Sequence, residues 1–176
     1  MKNSLKTLCL VLTLGCAVSV SAQNAKKTYT DPVYKMKISY PGNWTLTDTI
    51  EGARFFIFSP SQDADDNFTE NFNIQALPTE GEKIDLKQYV ALNKAELEKG
   101  IGEYKKISER YLTQKGIKWY ELVYTGKVES VEFKMHFVQR YTIYKETAYV
   151  VTYTADATKK DPNAIVATGI LNSIGF

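Results

Sequence analysis

Apolar positions along the chain follow two periods. Residues 34–40, YKMKISY, alternate: Tyr34, Met36, Ile38 and Tyr40 share one face, and Lys35, Lys37 and Ser39 the other. That is the pattern of a half-buried strand. Pro41, Gly42 and Asn43 interrupt it. Proline presets φ and lacks an N–H, while glycine and asparagine tolerate positive φ, so the trio predicts a tight reversal. Residues 44–49, WTLTDT, read as a second strand. Residues 54–59, RFFIFS, read as a third, apolar on both faces, and residues 72–77, FNIQAL, alternate again as a fourth.

The period then changes. Leu86, Tyr89, Val90, Asn93, Leu97 and Ile101 fall at helical spacing. Asp85 with Gln88 three residues on is a capping-box arrangement, and Gly100 or Gly102 is a natural stop. More strands follow. Residues 104–114 turn at Lys115-Gly116 into IKWYELVYTG, and residues 131–144 turn at Lys145-Glu146-Thr147 into AYVVTYTA. These runs are rich in Tyr, Phe, Val and Thr, which suit strands, and the short turns imply antiparallel neighbours. Asp161 followed by Pro162 predicts an N-cap and first helical position. Val166, Ala167, Ile170, Leu171 and Ile174 then form a helical stripe.

The order is therefore ββββ-α-ββββ-α. It predicts an α+β fold with a mostly antiparallel β-sheet flanked by helices. Residues 54–59 and WYELVY are apolar on both faces, so both faces of the sheet need cover, as in a three-layer α/β/α sandwich. Residues 31–176 form one domain, preceded by a flexible leader at 23–30.

The first 22 residues change the composition argument. Lys2 and Lys6 make a basic start, residues 8–18 are apolar, and Val20-Ser21-Ala22 offers small residues for a signal peptidase. The apolar run is shorter than the ~20 residues of a spanning helix. Residues 1–22 thus read as a secretory signal cleaved between Ala22 and Gln23, which places the domain in the periplasm or outside the cell. Cys16 after Gly15 could instead be a lipoprotein site. Thr13 in place of the usual leucine and the apolar residues after Cys16 argue against a lipid anchor there. The intact mass of the exported protein separates the two. Both cysteines, Cys9 and Cys16, lie within the signal, so cleavage leaves no disulfide and no thiolate. Losing Lys2 and Lys6 from 22 basic residues leaves 20, balancing 20 acidic ones. A neutral chain gives no electrostatic reason to expect nucleic acid or an anionic membrane as partner.

A strand ending in Tyr-Pro, then Gly or Asn, then Trp resembles the start of the PsbP-like superfamily. That group includes PsbP, the Ran-binding Mog proteins and bacterial DcrB-type members. FFIFSP at 55–60, NFNIQAL at 71–77, DLKQYVALNKAEL at 85–97, GIKWYELVY at 116–124, AYVVTYTA at 148–155 and ILNSIGF at 170–176 extend the resemblance over nearly the whole chain past residue 29. It implies an α/β/α sandwich around an antiparallel sheet. It also implies mainly non-enzymatic work by docking on proteins, with no single activity.

Candidate chemistry is sparse. His136 is the only histidine. It shares a strand face with Lys134 and Arg140, opposite Phe133, Met135 and Phe137, where a surface role is expected. No second histidine, cysteine or nucleophile elbow completes a triad or zinc site. In the acidic loop, Asp63, Asp65 and Asn67 match positions one, three and five of a calcium loop, but Phe68 and Ile74 stand where Gly and Glu are needed. A solvated loop is expected, with no cofactor. The 12 Tyr, 8 Phe and 2 Trp suit both strands and interfaces. The leading expectation is an exported, non-catalytic domain that docks on a protein partner in the cell envelope. The alternatives are a binding module for a small apolar ligand or lipid and, last, a hydrolytic enzyme.

Overall fold

The computed structural model describes residues 25–63, 66 and 68–176, so Ala22, Gln23, Cys16, Asp65 and Asn67 lie outside the described residues. The strands are β1 (Lys26–Thr30), β2 (Lys37–Pro41), β3 (Thr45–Thr47), β4 (Phe55–Phe58) and β5 (Asn71–Pro78). Helix α1 (Leu86–Gly100) follows, then β6 (Gly102–Gln114), β7 (Ile117–Lys127), β8 (Met135–Tyr144), β9 (Thr147–Asp156) and helix α2 (Ala164–Ser173). Seven strands form one sheet in the order β3-β4-β5-β9-β8-β7-β6, with every pair antiparallel. The α+β architecture is as the periodicity predicts.

Alternation decides which face each side chain takes. On one face, Phe55, Ile57, Phe72, Ile74, Val151 and Tyr153 meet α2 residues Ala167, Ile170 and Leu171 in the larger core. On the other, Tyr120, Leu122, Tyr124, Phe137, Tyr141 and Val150 pack around Val90 of α1. Helix α1 touches β6, β7 and β8 and so covers only that half of its face.

The first alternating run departs from expectation. Strand β2 is not in the main sheet: it pairs with β1 as a separate two-stranded ribbon. The segment read as a leader is thus a strand from Lys26. The ribbon lies over the same face as α2, where Met36, Ile38 and Tyr40 join the larger core. A bridge from Lys37 to Gly175 ties it to the end of the chain. Alternation shows that one face is buried but does not name the sheet. The reversal after β2 does form: the Trp44 amide donates to the Pro41 carbonyl at 3.0 Å, and Trp44 is buried against Phe72.

Other boundaries shift for local reasons. Strand β8 starts at Met135, not at residue 131; Val131 and Phe133 pack on the second core from the preceding loop. The β8–β9 turn has two residues, because Tyr144 pairs directly with Thr147. Lys145 and Glu146 accordingly take φ 46° and 58°, the left-handed conformation that a two-residue hairpin requires. Helix α2 begins two residues late, at Ala164. Asp161 does not cap it: one carboxylate oxygen accepts from the Asn163 amide at 2.7 Å and the other from the Tyr153 hydroxyl at 2.9 Å.

The start of α1 matches the sequence. Asp85 Oδ1 accepts the Gln88 amide at 2.8 Å, and Gln88 Oε1 accepts the Asp85 amide at 3.0 Å. Asp85→Ala removes the carboxylate and should cost about 1 kcal/mol. Chemical denaturation should show a lower midpoint at unchanged slope; an unchanged midpoint would mean that the helix starts without its cap.

Candidate docking groove between α1 and β6

Strand β6 is an edge strand, 13 residues long and, among the described residues, bonded only to β7. Its hairpin to β7 closes on the Gln114–Ile117 pair across Lys115 and Gly116, both at positive φ. In such a hairpin the closing pair exchanges both hydrogen bonds and alternate residues turn theirs outward. The regular register back to Ser108 therefore leaves the backbones of Thr113, Tyr111 and Glu109 facing away from the sheet. Beyond Ser108 the register shifts twice, once between Ser108 and Lys106 and again between Lys105 and Gly102. Bulges and lysines are how an edge is guarded against pairing. One half of this edge is therefore guarded and the other half is regular.

The regular half faces α1 across a groove. One section, about 530 Å3, is walled by Val90, Ala91 and Ala95 of the helix and by Glu109, Tyr111 and Tyr120 of the sheet. The next, about 810 Å3, runs past Leu86, Lys87, Leu112, Thr113 and Lys118. Lys87 and Tyr111 line both, so the two are continuous. Ala91 and Ala95, one turn apart, leave the width. Tyr111 is 59% exposed, with its ring edge-on to Tyr120 at 5.0 Å.

The floor is polar and fully paired. Glu109 accepts from Lys94 at 2.5 Å, Lys106 at 2.6 Å and the Tyr120 hydroxyl. Hydrogen bonds from Lys106 and Lys94 hold the Glu109 carboxyl down to about 2. Burial, then the bond to Glu109, pushes the Tyr120 phenol up. A carboxylate so firmly ionised and a phenol so firmly protonated are poor proton shuttles near neutral pH. This floor is suited to holding shape and charge.

His136 and Arg140 are not on an open face. Both point under α2 into a cavity of about 260 Å3 shared with Glu121, Tyr153 and Asp161. Burial lowers the His136 pKa while Asp161 raises it, and its ring bonds to no described residue. Arg140 is 3% exposed and donates to Glu121 at 2.8 Å, to Gln114 at 2.8 Å and to Asn172 of α2 at 3.2 Å. Glu121 also pairs with Arg110. The register places Arg110, Glu121 and Arg140 side by side on β6, β7 and β8. A glutamate inside the apolar run WYELVY was the sequence signal for this ladder. The signal for the groove was charge on both faces of residues 104–114, the mark of an edge.

In the acidic loop, Asp66 accepts the Gln62 amide at 2.9 Å, and the Asp66 amide reaches the Asp63 carbonyl at 3.4 Å. Among the described residues no group of three His, Cys, Asp or Glu is placed to hold a metal ion. No described helix is long and apolar enough to cross a membrane.

No protein-family model matches the chain, and no curated protein matches it. Solved structures do. PsbP (CyanoP) from Synechocystis sp. PCC 6803 superposes with a TM-score of 0.59 at 14% identity, over 92% of this chain and 98% of that one. The fold is PsbP-like. PA94, a protein of unknown function from Pseudomonas aeruginosa, gives 0.60 at 13% identity over 86% and 96% of the two chains. LpqN of Mycobacterium tuberculosis, involved in cell envelope biogenesis, gives 0.58 at 15% over 85% and 86%. At these identities the likeness establishes the PsbP-like fold alone.

Glu109 should titrate near 2 by carboxyl NMR. Its folded pKa lies below the unfolded value of about 4.3. Its stabilising contribution is therefore present above that value and is lost as pH falls through the folded pKa. Lys94→Met should raise the Glu109 pKa. An unchanged value would show that Lys94 does not hold the carboxylate.

Proposed function

We propose that this chain is an exported, non-catalytic module of the cell envelope that docks an extended segment of a protein partner along β6, in the groove beside α1. The observation that carries this reading is the regular, open half of the β6 edge beside that groove. Addition of a strand to a free edge takes affinity from backbone hydrogen bonds and specificity from pockets for alternate side chains. Tyr111, Ala91 and Ala95 line such a pocket. The envelope assignment is supported by the signal-like start of the sequence and by the likeness to LpqN, which is itself involved in envelope biogenesis.

A lipid or apolar ligand between sheet and helix has less support: the groove beside α1 is large enough, at about 530 and 810 Å3, but Lys87, Lys94, Glu109 and Lys118 line it. The cavity under α2 is about 260 Å3 and its wall includes Arg110, Glu121, His136 and Arg140. A drug-sized apolar ligand needs a larger and drier site, roughly 300–1,000 Å3.

The test is cross-linking in the intact envelope followed by native mass spectrometry, with Tyr111→Asp set against a control, Ile165→Asp. Ile165 is 88% exposed on α2, away from the groove. A stoichiometric protein complex should form with wild type and the control and should fall at least tenfold (about 1.4 kcal/mol) with Tyr111→Asp. A complex equally strong in all three, or an added mass of a few hundred daltons in place of a protein, would contradict the reading.

A further inference from the structure

The groove is not charge-neutral along its length, and this selects its occupant. Most of the lysines near it are already used. Lys94 and Lys106 pair with Glu109, and Lys127 and Lys134 pair with Glu103. Lys87 and Lys118 are different. Both line the wide section, one from the first turn of α1 and the other from β7 opposite Thr113. Neither has a carboxylate within ion-pair distance among the described residues.

The first turn of α1 carries no acidic residue, and Asp85 at the N-cap is the carboxylate that meets the positive end of the helix dipole. That carboxylate also lines the section and is held by the Gln88 amide, so Lys87 and Lys118 leave an excess of one positive charge there. The regular edge terminates at the same place, since Thr113 is the last outward-facing residue before the hairpin turn.

We propose that the docked segment carries a carboxylate side chain seated between Lys87 and Lys118. This rests on the docking reading above and specifies its partner: an extended, acidic protein segment. Every strand pair in the sheet is antiparallel, and the antiparallel ladder is the more stable per residue. The segment therefore runs against β6, with its acidic residue near its amino end, opposite Thr113. Two residues on, an apolar side chain lies opposite Tyr111 and fills the space left by Ala91 and Ala95. Backbone recognition along the edge requires a peptide, which separates this occupant from other anions.

The probe is a blocked peptide of alternating threonine and valine with one aspartate near its amino end, and a twin with lysine in that place. Both are titrated into the isotope-labelled chain and followed by amide NMR. The aspartate peptide should bind about tenfold more tightly than its twin. It should shift the amides of Glu109, Tyr111, Thr113 and the first turns of α1. Lys87→Glu combined with Lys118→Glu changes two surface residues and should reverse the preference. Methylating the peptide nitrogens that face β6 should abolish binding, while methylating the alternate nitrogens should not. Equal binding of the two peptides, binding of neither at millimolar concentration, shifts elsewhere, or a groove already filled by a second copy would each overturn the acidic-segment proposal. Those outcomes leave the docking reading to the cross-linking result.

Discussion

Strand β9 is buried along its entire length, ten residues without an exposed position, and the fold depends on covering both of its faces. Tyr149, Val151, Tyr153 and Ala155 point to one side and Val150 to the other. A strand buried on both faces has to sit inside a sheet that is itself inside two layers. Its ladders to β5 and β8 put it at the centre of seven strands. On one side, α2 and the β1–β2 ribbon supply cover; on the other, α1 lies over β6 to β8, and Phe68, Val131 and Phe133 from loops join the core that holds Val150. The sheet must then end somewhere. It ends in β3, only three residues long, and in β6, which is 13 residues long. The short edge offers little to pair with. The long one is where a further strand can add.

Charge is used in two ways in this sheet. The Arg110–Glu121–Arg140 ladder lies largely under α2, where Gln114 and Asn172 complete the hydrogen bonding of Arg140. Removing Glu121 would leave the buried Arg140 guanidinium without its carboxylate, which is far more costly than losing an exposed pair. That ladder locks β6, β7, β8 and α2 in register. On the α1 side, Glu109 gathers Lys94, Lys106 and Tyr120 in a partly exposed floor. There the groups remain near solvent, and Lys87 and Lys118 line the groove with no ion-pair partner among the described residues. The same strand thus anchors the domain with one face and lines the groove with the other.

Much of this was legible in the residues because the signals were local. The capping box at Asp85 and Gln88, the Lys115-Gly116 hairpin and the stripe through Ile170 and Leu171 each depend on neighbours a few positions away. What was not legible depended on distant partners. Nothing local shows that the alternating run at Ile38 pairs with Lys26–Thr30 and not with the main sheet. Nor does it show that Asp161 would turn its carboxylate to Tyr153, leaving α2 to begin at Ala164. His136 looked like a surface residue because its basic neighbours suggested an open face, yet Glu121 across the ladder neutralises Arg140 and α2 closes over it. The groove itself arises from how a helix crosses an edge strand, which periodicity does not encode.

Docking along β6 requires its edge to be open in the free chain, and residue-resolved amide hydrogen exchange measures that directly. The outward-facing amides of Glu109, Tyr111 and Thr113 should exchange rapidly. Arg110, Leu112 and Gln114, bonded to β7 in the same strand, should be protected, and β9 should be the slowest of all. An alternating pattern of this kind would establish a free edge. Uniform protection along residues 109–114 would mean that the edge is already covered, and would contradict the account.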